Sequence, residues 1–325
     1  MKYKLAIGFI AYGEYTLKYL PIFLSSLFAG IDQESVLVLA VDCSENTNDR
    51  NLKILKKYPQ IKIIFQGSNL GFGRAHNMMI SRAKESGSKY YLALNPDMLI
   101  ENKMIGKMLA SMEKDGELGS VSPRIMRWDF NKKEKTDIID TLGIEMKSGL
   151  LFFDIAQGKK NPVSTFSNNE EIKKMSINIL GPSGAAAMYS LNALEKVKDN
   201  NGYFDNLMFM YKEDADLAYR LFLAGFKSRC VTDAIFYHDR TASEQGRGNL
   251  QIAINRKNKN KQCKKWSFLH QNIIFIKYWR LQNFRNKLAI IRHEFKMIVY
   301  AVLFERYLLA EFINLWKARK KIIKY

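Results

Sequence analysis

The stretch KYKLAIGFIAY, residues 2–12, is strand-like and apolar on both of its faces. A strand buried on both faces is typical of a parallel sheet covered by helices. The next segment, EYTLKYLPIFLSSLF (14–28), is predicted as a helix, and SVLVLAVD (35–42) returns to an apolar strand. This order predicts the first β-α-β unit of the chain.

The alternation of strands and helices continues through the first part of the chain. Predicted helices are NLKILKKY, AHNMMISRAKES and MIGKMLASMEKDG, and predicted strands are IKIIFQG, KYYLALNPD and LGSVSPRI. Such alternation predicts an α/β fold with a mostly parallel central sheet flanked by helices. Residues 127–178 are polar and irregular and are predicted to leave the central sheet. The segment INILGPSGAAAMYS (177–190) is predicted to return to it.

Composition indicates a folded intracellular protein. The chain has 325 residues, of which 47% are hydrophobic, enough for a sizeable core. The three cysteines (Cys43, Cys230 and Cys263) are scattered, with no metal-ligand spacing, which favours a reducing compartment such as the cytoplasm. The N-terminal apolar stretch is too short for a signal peptide and lacks a small-residue cleavage site.

Positive charge is concentrated at the C-terminal end of the chain. Residues 251–325 carry 18 Lys and Arg against three acids, a net charge of +15 out of +19. This asymmetry predicts two parts, residues 1–250 as the α/β domain and residues 251–325 as a basic amphipathic helical extension.

The extension carries a predicted helical stripe of apolar side chains between residues 287 and 316. Its members are Leu288, Ile291, Phe295, Ile298, Val302, Leu309, Phe312 and Trp316. The longest fully apolar run, MIVYAVLF, is far shorter than the ~20 residues that span a bilayer. The stripe and its basic flanks favour a helix at an anionic membrane surface. The alternatives are packing on the catalytic domain or on a second copy, as in a homodimer. Nucleic-acid binding ranks last, because no recognised nucleic-acid module is present.

Polar residues follow three predicted strands where each gives way to a loop. These residues are Asp42, Asn69 and Asp97. Ligands of open parallel sheets bind at the carboxyl ends of the strands. The three residues are therefore predicted to line one binding site.

The segment NLGFGRAHN (69–77) contains a pair of glycines just before a predicted helix. It is not a dinucleotide fingerprint, because His76 occupies the third glycine position, and no GK[ST] follows as in a P-loop. The structural interpretation of the glycine pair is therefore a tight turn. The functional alternative is that backbone N–H groups at the helix start, with Arg74 nearby, face a phosphate or a sugar.

In LALNPDM (92–98), Asp97 follows a buried strand, an Asn and a Pro. The structural interpretation is an Asx-Pro turn. The functional interpretation is a carboxylate held by a rigid turn for a divalent cation, such as Mg²⁺, that takes its other ligands from phosphate and water.

The segment YKEDADLAYRLFLAGF (211–226) contains three acids within four residues. Acids in a first helical turn suit the helix dipole, and Asp216 lies four residues before Arg220, so Asp216 has a structural explanation. Asp214 is predicted to face the packed side of the helix, as a buried cap or a catalytic group. Glu213 beside it is expected to raise its pKa through like charge, which suits a general base.

His238, in AIFYHDRTAS, ends another apolar run. A lone histidine is usually a satisfied structural residue. At a strand end near carboxylates, it is also a candidate ligand for a metal or a phosphate.

The motifs named above occur in an order that resembles the family 2 glycosyltransferases, and within them the rhamnosyltransferase-like branch. The resemblance covers roughly residues 4–245 and rests on Asp42, NLGFGRAHN, LNPD, GPSGAAAMYS, GYFDNLMFMYKEDADLAYRLFLAGF and YH. It implies a GT-A fold, inverting transfer of a sugar from a nucleotide-diphospho-sugar, and a divalent cation (Mg²⁺ or Mn²⁺). Two departures are Gly13, where relatives place an Asn after the aromatic residue, and Asn95 in place of the first acid of the metal motif.

The resemblance also implies roles for single residues. Carried over by position, Asp42 binds the nucleobase or ribose, and Asn69, Gly71, Arg74 and Asn95 line the donor pocket. Asp97 holds the metal, with His238 as a further ligand of the metal or the diphosphate. Asp214 of the Glu213–Asp214 pair is the general base that deprotonates the acceptor hydroxyl.

The implied protein is a cytoplasmic glycosyltransferase, peripheral at the inner face of the cell membrane, that extends a lipid-linked cell-surface polysaccharide. L-Rhamnose from dTDP-rhamnose is the candidate donor, and a UDP-hexose is the alternative. A catalytically silent GT-A domain that serves as a binding or scaffold protein is the alternative from another class.

Overall fold

A computed structural model of the chain describes residues 3–45, 49–161, 176–239 and 260–325. Its strands are β1 Leu5–Ala11, β2 Val36–Asp42, β3 Ile61–Phe65, β4 Tyr90–Leu94, β5 Met98–Ile100, β6 Leu118–Asp129, β7 Glu134–Thr141, β8 Ile144–Lys147, β9 Leu151–Asp154, β10 Ser176–Ile179, β11 Ala186–Ser190 and β12 Lys227–His238. Its α-helices are α1 Gly13–Leu17, α2 Leu20–Ala29, α3 Arg50–Leu55, α4 Gly71–Glu85, α5 Met104–Lys114, α6 Leu191–Val197, α7 Glu213–Leu223, α8 Lys261–Tyr278, α9 Phe284–Phe304 and α10 Glu311–Ala318. Short 3₁₀ turns cover Trp279–Leu281 and Arg306–Leu308.

One large sheet organises the molecule, in the strand order β10-β12-β6-β11-β4-β1-β2-β3. Strands β3, β2, β1 and β4 are mutually parallel, and β12 is parallel to β6. Strand β11 lies antiparallel between β4 and β6, and β10 is antiparallel to β12. Strands β5 and β7 pair with β12 and β6 off this path, and β8 and β9 form a separate hairpin. The predicted α/β fold with a mostly parallel sheet is confirmed.

Strand β1 lies at the centre of the core, as its apolar sequence predicts. Successive side chains of a strand point to opposite faces. Leu5, Ile7 and Phe9 therefore join the cluster formed with α2 and α5, whereas Ala6 joins the cluster formed with α4 and α6. All four side chains are buried because helices cover both faces of the sheet.

The helix predicted over residues 14–28 is divided in two. Helix α1 ends at Leu17, and α2 begins at Leu20 with a proline in its first turn. Proline is well accommodated there, because the first N–H groups of a helix have no intrahelical partner.

Residues 127–178 are more regular than predicted. Strand β6 continues to Asp129, β7 pairs antiparallel with β6, and the β8–β9 hairpin follows. The polar composition misled the prediction because the first half of β7 is exposed, and only its end, Ile139–Thr141, is buried. Residues 162–175 of this region lie outside the described residues.

Helix α8 of the basic extension is part of the protein interior. Its Ile274 and Tyr278 share a hydrophobic cluster with Ala215 and Tyr219 of α7, and the β8–β9 hairpin contributes Phe152. The predicted division between residues 250 and 251 lies outside the described residues.

The predicted stripe over residues 287–316 does not lie on one continuous helix. Helix α9 ends at Phe304, where Glu305 turns inward and its Oε1 lies 2.8 Å from Nζ of Lys264 in α8. Beyond this break, Phe312 packs on Phe268 with 5.4 Å between the ring centroids. Within the described ranges, no helix combines the length and the apolar character needed to cross a bilayer.

Candidate active site

The ends of several neighbouring strands meet at one edge of the sheet. Ala11, the last residue of β1, is paired with Asp42, and Phe9 is paired with Leu94 of β4. Leu94 is in turn paired with Ala186 of β11, and the N–H of Asn95 donates to the carbonyl of Ala185 at 2.9 Å. This edge therefore gathers the loops that carry Asp42, Asn95, Asp97 and Gly184.

Asp42 is fully buried at the end of β2. Its Oδ1 accepts hydrogen bonds from the backbone N–H of Ser44 at 3.0 Å and from the Ser44 hydroxyl at 2.6 Å. Its Oδ2 is buried with no hydrogen-bond partner among the described residues. An unpaired buried acceptor is costly, so a ligand hydroxyl or N–H at this oxygen would be favourable. Ser44 was not singled out from the sequence, although it lies in the turn after Asp42.

The glycine-rich segment is explained by packing. The Asn69 side chain accepts from the N–H of Gly71 at 3.0 Å, and Gly71 has a φ of +73°. A Cβ at Gly71 would lie 2.4 Å from the carbonyl oxygen of Phe209. Only glycine therefore allows α4 to begin this close to the segment that leads into α7. Arg74 is exposed on α4, and the roles of Asn69, Gly71, Arg74 and Asn95 in donor binding stay predictions.

Asp97 and His238 are brought together, although they are far apart in sequence. Nε2 of His238 lies 3.2 Å from Oδ2 of Asp97, and Nδ1 of His238 lies 2.8 Å from Oδ2 of Asp140. The Tyr15 hydroxyl donates to Oδ2 of Asp97 at 2.6 Å, and the Trp128 indole N–H donates to the Asp97 carbonyl at 3.3 Å. Three long-range contacts therefore fix the Asp97 loop.

These contacts also set the protonation of the pair. Burial acts to raise the pKa of Asp97, but the charge of His238 and the hydrogen bonds from His238 and Tyr15 together outweigh burial, so the net pKa lies below its usual value. Burial acts to lower the pKa of His238, but Asp97 and Asp140 together raise it to about 10. Asp97 and Asp140 thus favour positive charge at this position, which the protonated imidazole carries by itself and which a bound cation would supply once Nε2 has lost its proton.

The residues present fit a divalent cation. Oδ1 of Asp97 is buried with no hydrogen-bond partner within the part of the chain that the structure describes. An unpaired carboxylate oxygen beside an imidazole is a suitable start of a ligand set, and Asp140 would orient the imidazole from behind. In the described ranges, no three or more His, Cys, Asp or Glu side chains form a complete metal cage. A two-ligand arrangement suits a cation that is also held by diphosphate and water.

Asp214 lies in the first turn of α7 and is half-buried. Its Oδ2 accepts from the N–H of Gly184 at 3.0 Å, and its Oδ1 accepts from the N–H of Ala215 at 2.8 Å. Burial raises its pKa, and the two N–H groups only partly offset this effect. A Cβ at Gly184 would lie 3.2 Å from Cζ of Phe72 and 3.5 Å from Oδ2 of Asp214, so Phe72 of α4 adjoins the same site.

The backbone before Asp214 has an unusual conformation. Tyr211 and Lys212 have φ values of +73° and +75°. Non-glycine residues rarely adopt this left-handed conformation, and it persists only where the surroundings impose it, often at functional sites. Nδ1 of His270 in α8 lies 2.8 Å from the Tyr211 carbonyl oxygen, which links the extension to this turn.

Glu213 and Asp216 have environments unlike that of Asp214. Glu213 is buried, and its Oε2 has no hydrogen-bond partner among described residues. Burial first, and then the like charge of Asp214, raise its pKa well above the usual value. Asp216 is fully buried, with Nε of Arg220 at 3.0 Å and Nζ of Lys277 at 2.8 Å. The predicted structural pairing of Asp216 with Arg220 is confirmed.

Comparison with known proteins relates the chain to glycosyltransferases. The model of a family described as glycosyl transferase family 2 matches residues 7–198, which include Asp42 and Asp97 and end before Asp214. A protein described as N-acetylglucosaminyl-diphospho-decaprenol L-rhamnosyltransferase, from two strains of Mycobacterium tuberculosis, is 25% identical over 229 residues, 68% of this chain and 72% of that protein.

Solved structures share the fold at low sequence identity. GalNAc-T7 with UDP, GalNAc and Mn²⁺ aligns with a TM-score of 0.59 and 12% identity, over 86% of this chain and 48% of that one, so this chain spans about half of it. The mannosyltransferase PcManGT from Pyrobaculum calidifontis, in complex with GDP-Man and Mn²⁺, aligns over 100% of this chain and 77% of its own, with a TM-score of 0.51 and 13% identity. Residues 1–349 of S. aureus TarS align over 96% of this chain and 78% of that one, with a TM-score of 0.51 and 15% identity. The predicted GT-A fold is confirmed.

Proposed function

The chain belongs to glycosyl transferase family 2, and from that premise we propose that it transfers a sugar, with inversion, from a nucleotide-diphospho-sugar to a hydroxyl group of a glycan. The observation that carries the proposal is the placement of Asp214. Its carboxylate is anchored by the N–H of Gly184, at the same sheet edge as Asp42 and Asp97. Nucleotide, leaving group and base would therefore act within one site.

In the proposed reaction, Asp214 is the general base. The acceptor oxygen attacks the anomeric carbon from the face opposite the diphosphate, the new C–O bond forms, and the bond to the diphosphate breaks. The hydroxyl proton goes to the Asp214 carboxylate. A pKa raised by burial makes this carboxylate a better proton acceptor than an exposed aspartate. Asp42 would position the donor through its buried Oδ2, which has no hydrogen-bond partner in the described part of the chain.

Asp97 and His238 would hold a divalent cation, Mg²⁺ or Mn²⁺. Such an ion, when bound, supplies positive charge that stabilises the departing diphosphate. Two of the structural neighbours were solved with Mn²⁺, which supports a divalent cation.

L-Rhamnose from a dTDP donor is our candidate sugar, and its support is the name of the mycobacterial relative. The alternative is a UDP-hexose, because GalNAc-T7, which shares the fold, was crystallised with UDP. The name of the mycobacterial relative also supports a lipid-linked acceptor. On that basis we place the enzyme at the cytoplasmic face of the cell membrane, where it would extend a cell-surface polysaccharide.

The variant Asp214→Asn tests the proposal. Asparagine can still accept the Gly184 N–H bond but cannot take up the hydroxyl proton, so transfer should fall about 10²–10⁴-fold. Donor binding should persist, measured as the rise in melting temperature with dTDP-, UDP- and GDP-sugars, with and without Mn²⁺. Asp32→Asn, at an exposed aspartate in a loop, is the matched control and should transfer normally.

Two results would change the conclusion. Transfer by Asp214→Asn at the normal rate would remove Asp214 as the base. No melting-temperature shift with any nucleotide sugar would favour the scaffold alternative, a GT-A domain that has lost catalysis.

A further inference from the structure

Helix α9 presents an apolar face to the outside of the molecule. Phe284 is 80% exposed, Leu288 and Ile291 are each 55% exposed, and Phe295 is 67% exposed. Ile298 and Val302 continue the same row and are also exposed. These six residues are spaced three or four positions apart and therefore share one face of the helix. We call them the α9 stripe.

The opposite face of α9 is attached to the protein. Ile290 and Ala301 are buried, and Ile290 belongs to the cluster that includes Tyr278 of α8 and Tyr219 of α7. The apolar stripe therefore faces outward while the other side of the helix packs inward. A contiguous exposed apolar face of this kind marks a surface that another body covers.

The charges beside the α9 stripe indicate what that body is. Helix α9 carries four basic residues (Arg285, Lys287, Arg292 and Lys296) and one acid, Glu294. Glu294 is half-buried and hydrogen-bonds to Asn272 of α8, away from the stripe. An apolar row with basic residues along its sides is complementary to an anionic bilayer, in which acyl chains lie beneath acidic headgroups.

A second copy of the chain fits this surface less well. Two copies that paired through their α9 stripes would bring their basic flanks together. These like charges would repel each other, as like charges beside the seam of a coiled coil do. Exposed Trp316 in α10, with Arg319 at 3.6 Å from its ring, adds a residue of the type that membrane interfaces favour.

We infer that the α9 stripe lies in the headgroup–acyl boundary of an anionic membrane and attaches the enzyme peripherally. This inference deepens the membrane location proposed above and rests on it. It assigns the attachment to one face of α9, whereas the predicted stripe extended to residue 316. Neither the stripe nor its basic flanks includes a residue of the candidate active site.

The test is co-sedimentation of the full chain with lipid vesicles. The wild type should bind vesicles of phosphatidylcholine mixed with phosphatidylglycerol and bind much less to phosphatidylcholine alone, with an affinity that falls as salt rises. Leu288→Ser with Phe295→Ser should weaken binding about tenfold or more, because two exposed apolar side chains no longer enter the bilayer. Arg292→Glu with Lys296→Glu should weaken binding to the anionic vesicles specifically.

Controls separate this inference from the proposed function. Phe153→Ser removes an exposed aromatic side chain (44% exposed) from the β8–β9 hairpin and should leave vesicle binding unchanged. Asp214→Asn should bind vesicles as the wild type does, whether or not it transfers sugar. Circular dichroism and melting temperature confirm that the stripe variants fold.

Two outcomes would overturn the inference. One is equal vesicle binding by wild type and both double variants. The other is a dimeric wild type that becomes monomeric in sedimentation velocity when Leu288 and Phe295 are replaced, which would assign the stripe to a second copy.

Discussion

The variant Lys277→Met tests how the C-terminal extension supports the catalytic helix. Lys277 in α8 is fully buried, and its Nζ lies 2.7 Å from Oδ2 of Asp205 and 2.8 Å from Oδ1 of Asp216. Asp199 is at 3.9 Å. Because Asp216 belongs to the first turns of α7, one ammonium group joins the extension to the helix that carries Asp214.

The expected loss of stability follows from what remains after the substitution. Methionine keeps the volume of the side chain but leaves Asp205 buried without the ammonium group, while Asp216 keeps Arg220 at 3.0 Å. Removing one partner of a buried ion pair costs about 3–5 kcal/mol, because the other charge is left uncompensated. For a protein stabilised by about 5–15 kcal/mol, this loss is a large fraction of the total.

Urea denaturation at neutral pH measures the effect. The midpoint should fall with an unchanged slope, and adding Asp205→Asn to Lys277→Met should restore part of the loss, because it removes a stranded charge. Lys107→Met is the control, since Lys107 and Asp233 form a pair at 3.2 Å whose side chains are 40% and 43% exposed. Exposed pairs contribute only about 0–1 kcal/mol.

Acid should abolish the contribution of Lys277. Burial acts to raise the pKa of Asp216, but Lys277 and Arg220 together hold it below its usual value. A carboxylate with a depressed folded-state pKa stabilises above its unfolded pKa, about 3.9, and loses this effect as pH falls through the folded value. The difference between wild type and Lys277→Met should therefore shrink in strong acid. If Lys277→Met unfolds at the same urea concentration as Lys107→Met, the proposed link between α8 and α7 is wrong.

Two further predictions concern single side chains of the site. Asp97→Asn should reduce the Mn²⁺-dependent rise in melting temperature with a nucleotide, because a ligand carboxylate is lost. For the same reason it should lower transfer about tenfold or more. A rise in melting temperature with Mn²⁺ as large as that of the wild type would show that the cation binds elsewhere. Glu213→Gln should raise the free energy of unfolding at neutral pH by about 1–3 kcal/mol, because glutamine is neutral and avoids the cost of burying a carboxyl group beside the like charge of Asp214. The folded-state pKa of Glu213 is raised, so the stability that this carboxyl group contributes to the wild type is lost as pH rises through the folded-state pKa. Parallel curves of stability against pH for the wild type and Glu213→Gln would contradict this prediction.

The fold of the N-terminal half was predictable because its signals are local. The apolar runs of β1, β2 and β4 and the helices between them are each visible within about a dozen residues, and they predict the parallel core of the sheet. Strand ends follow from the same pattern, which is why Asp42 and Asp97 could be selected as candidates before any contact was known.

The partners of the candidate residues could not be predicted in this way. Asp140 lies 98 residues before His238, and Tyr15 lies 82 residues before Asp97. No periodicity links positions so far apart, and the exposed first half of β7 concealed the buried acid at its end. A signal did exist in the run DIIDT, where Asp140 follows two apolar residues.

The charge of the extension was also only partly informative. Lys264 and Lys277 count toward its net charge of +15, yet both are buried, in ion pairs with Glu305 and with Asp205 and Asp216. A count of charges cannot distinguish a surface cation from an internal one. The structure separates the basic residues of the extension into two groups. The paired lysines of α8 lie inside the protein, and the basic flanks of α9 lie outside.

The three acids at the start of α7 are distinguished by their surroundings. Asp216 is enclosed by Lys277 and Arg220, and the attraction of these cations disfavours its uptake of a proton. Glu213 is buried, and burial together with the like charge of Asp214 favours its neutral form, so it is poorly suited to hold a negative charge for an incoming hydroxyl. Asp214 lies between these extremes, half-buried and fixed by two backbone N–H groups. It is the member of the three whose environment permits both ionisation and proton uptake, and this combination is what a general base requires.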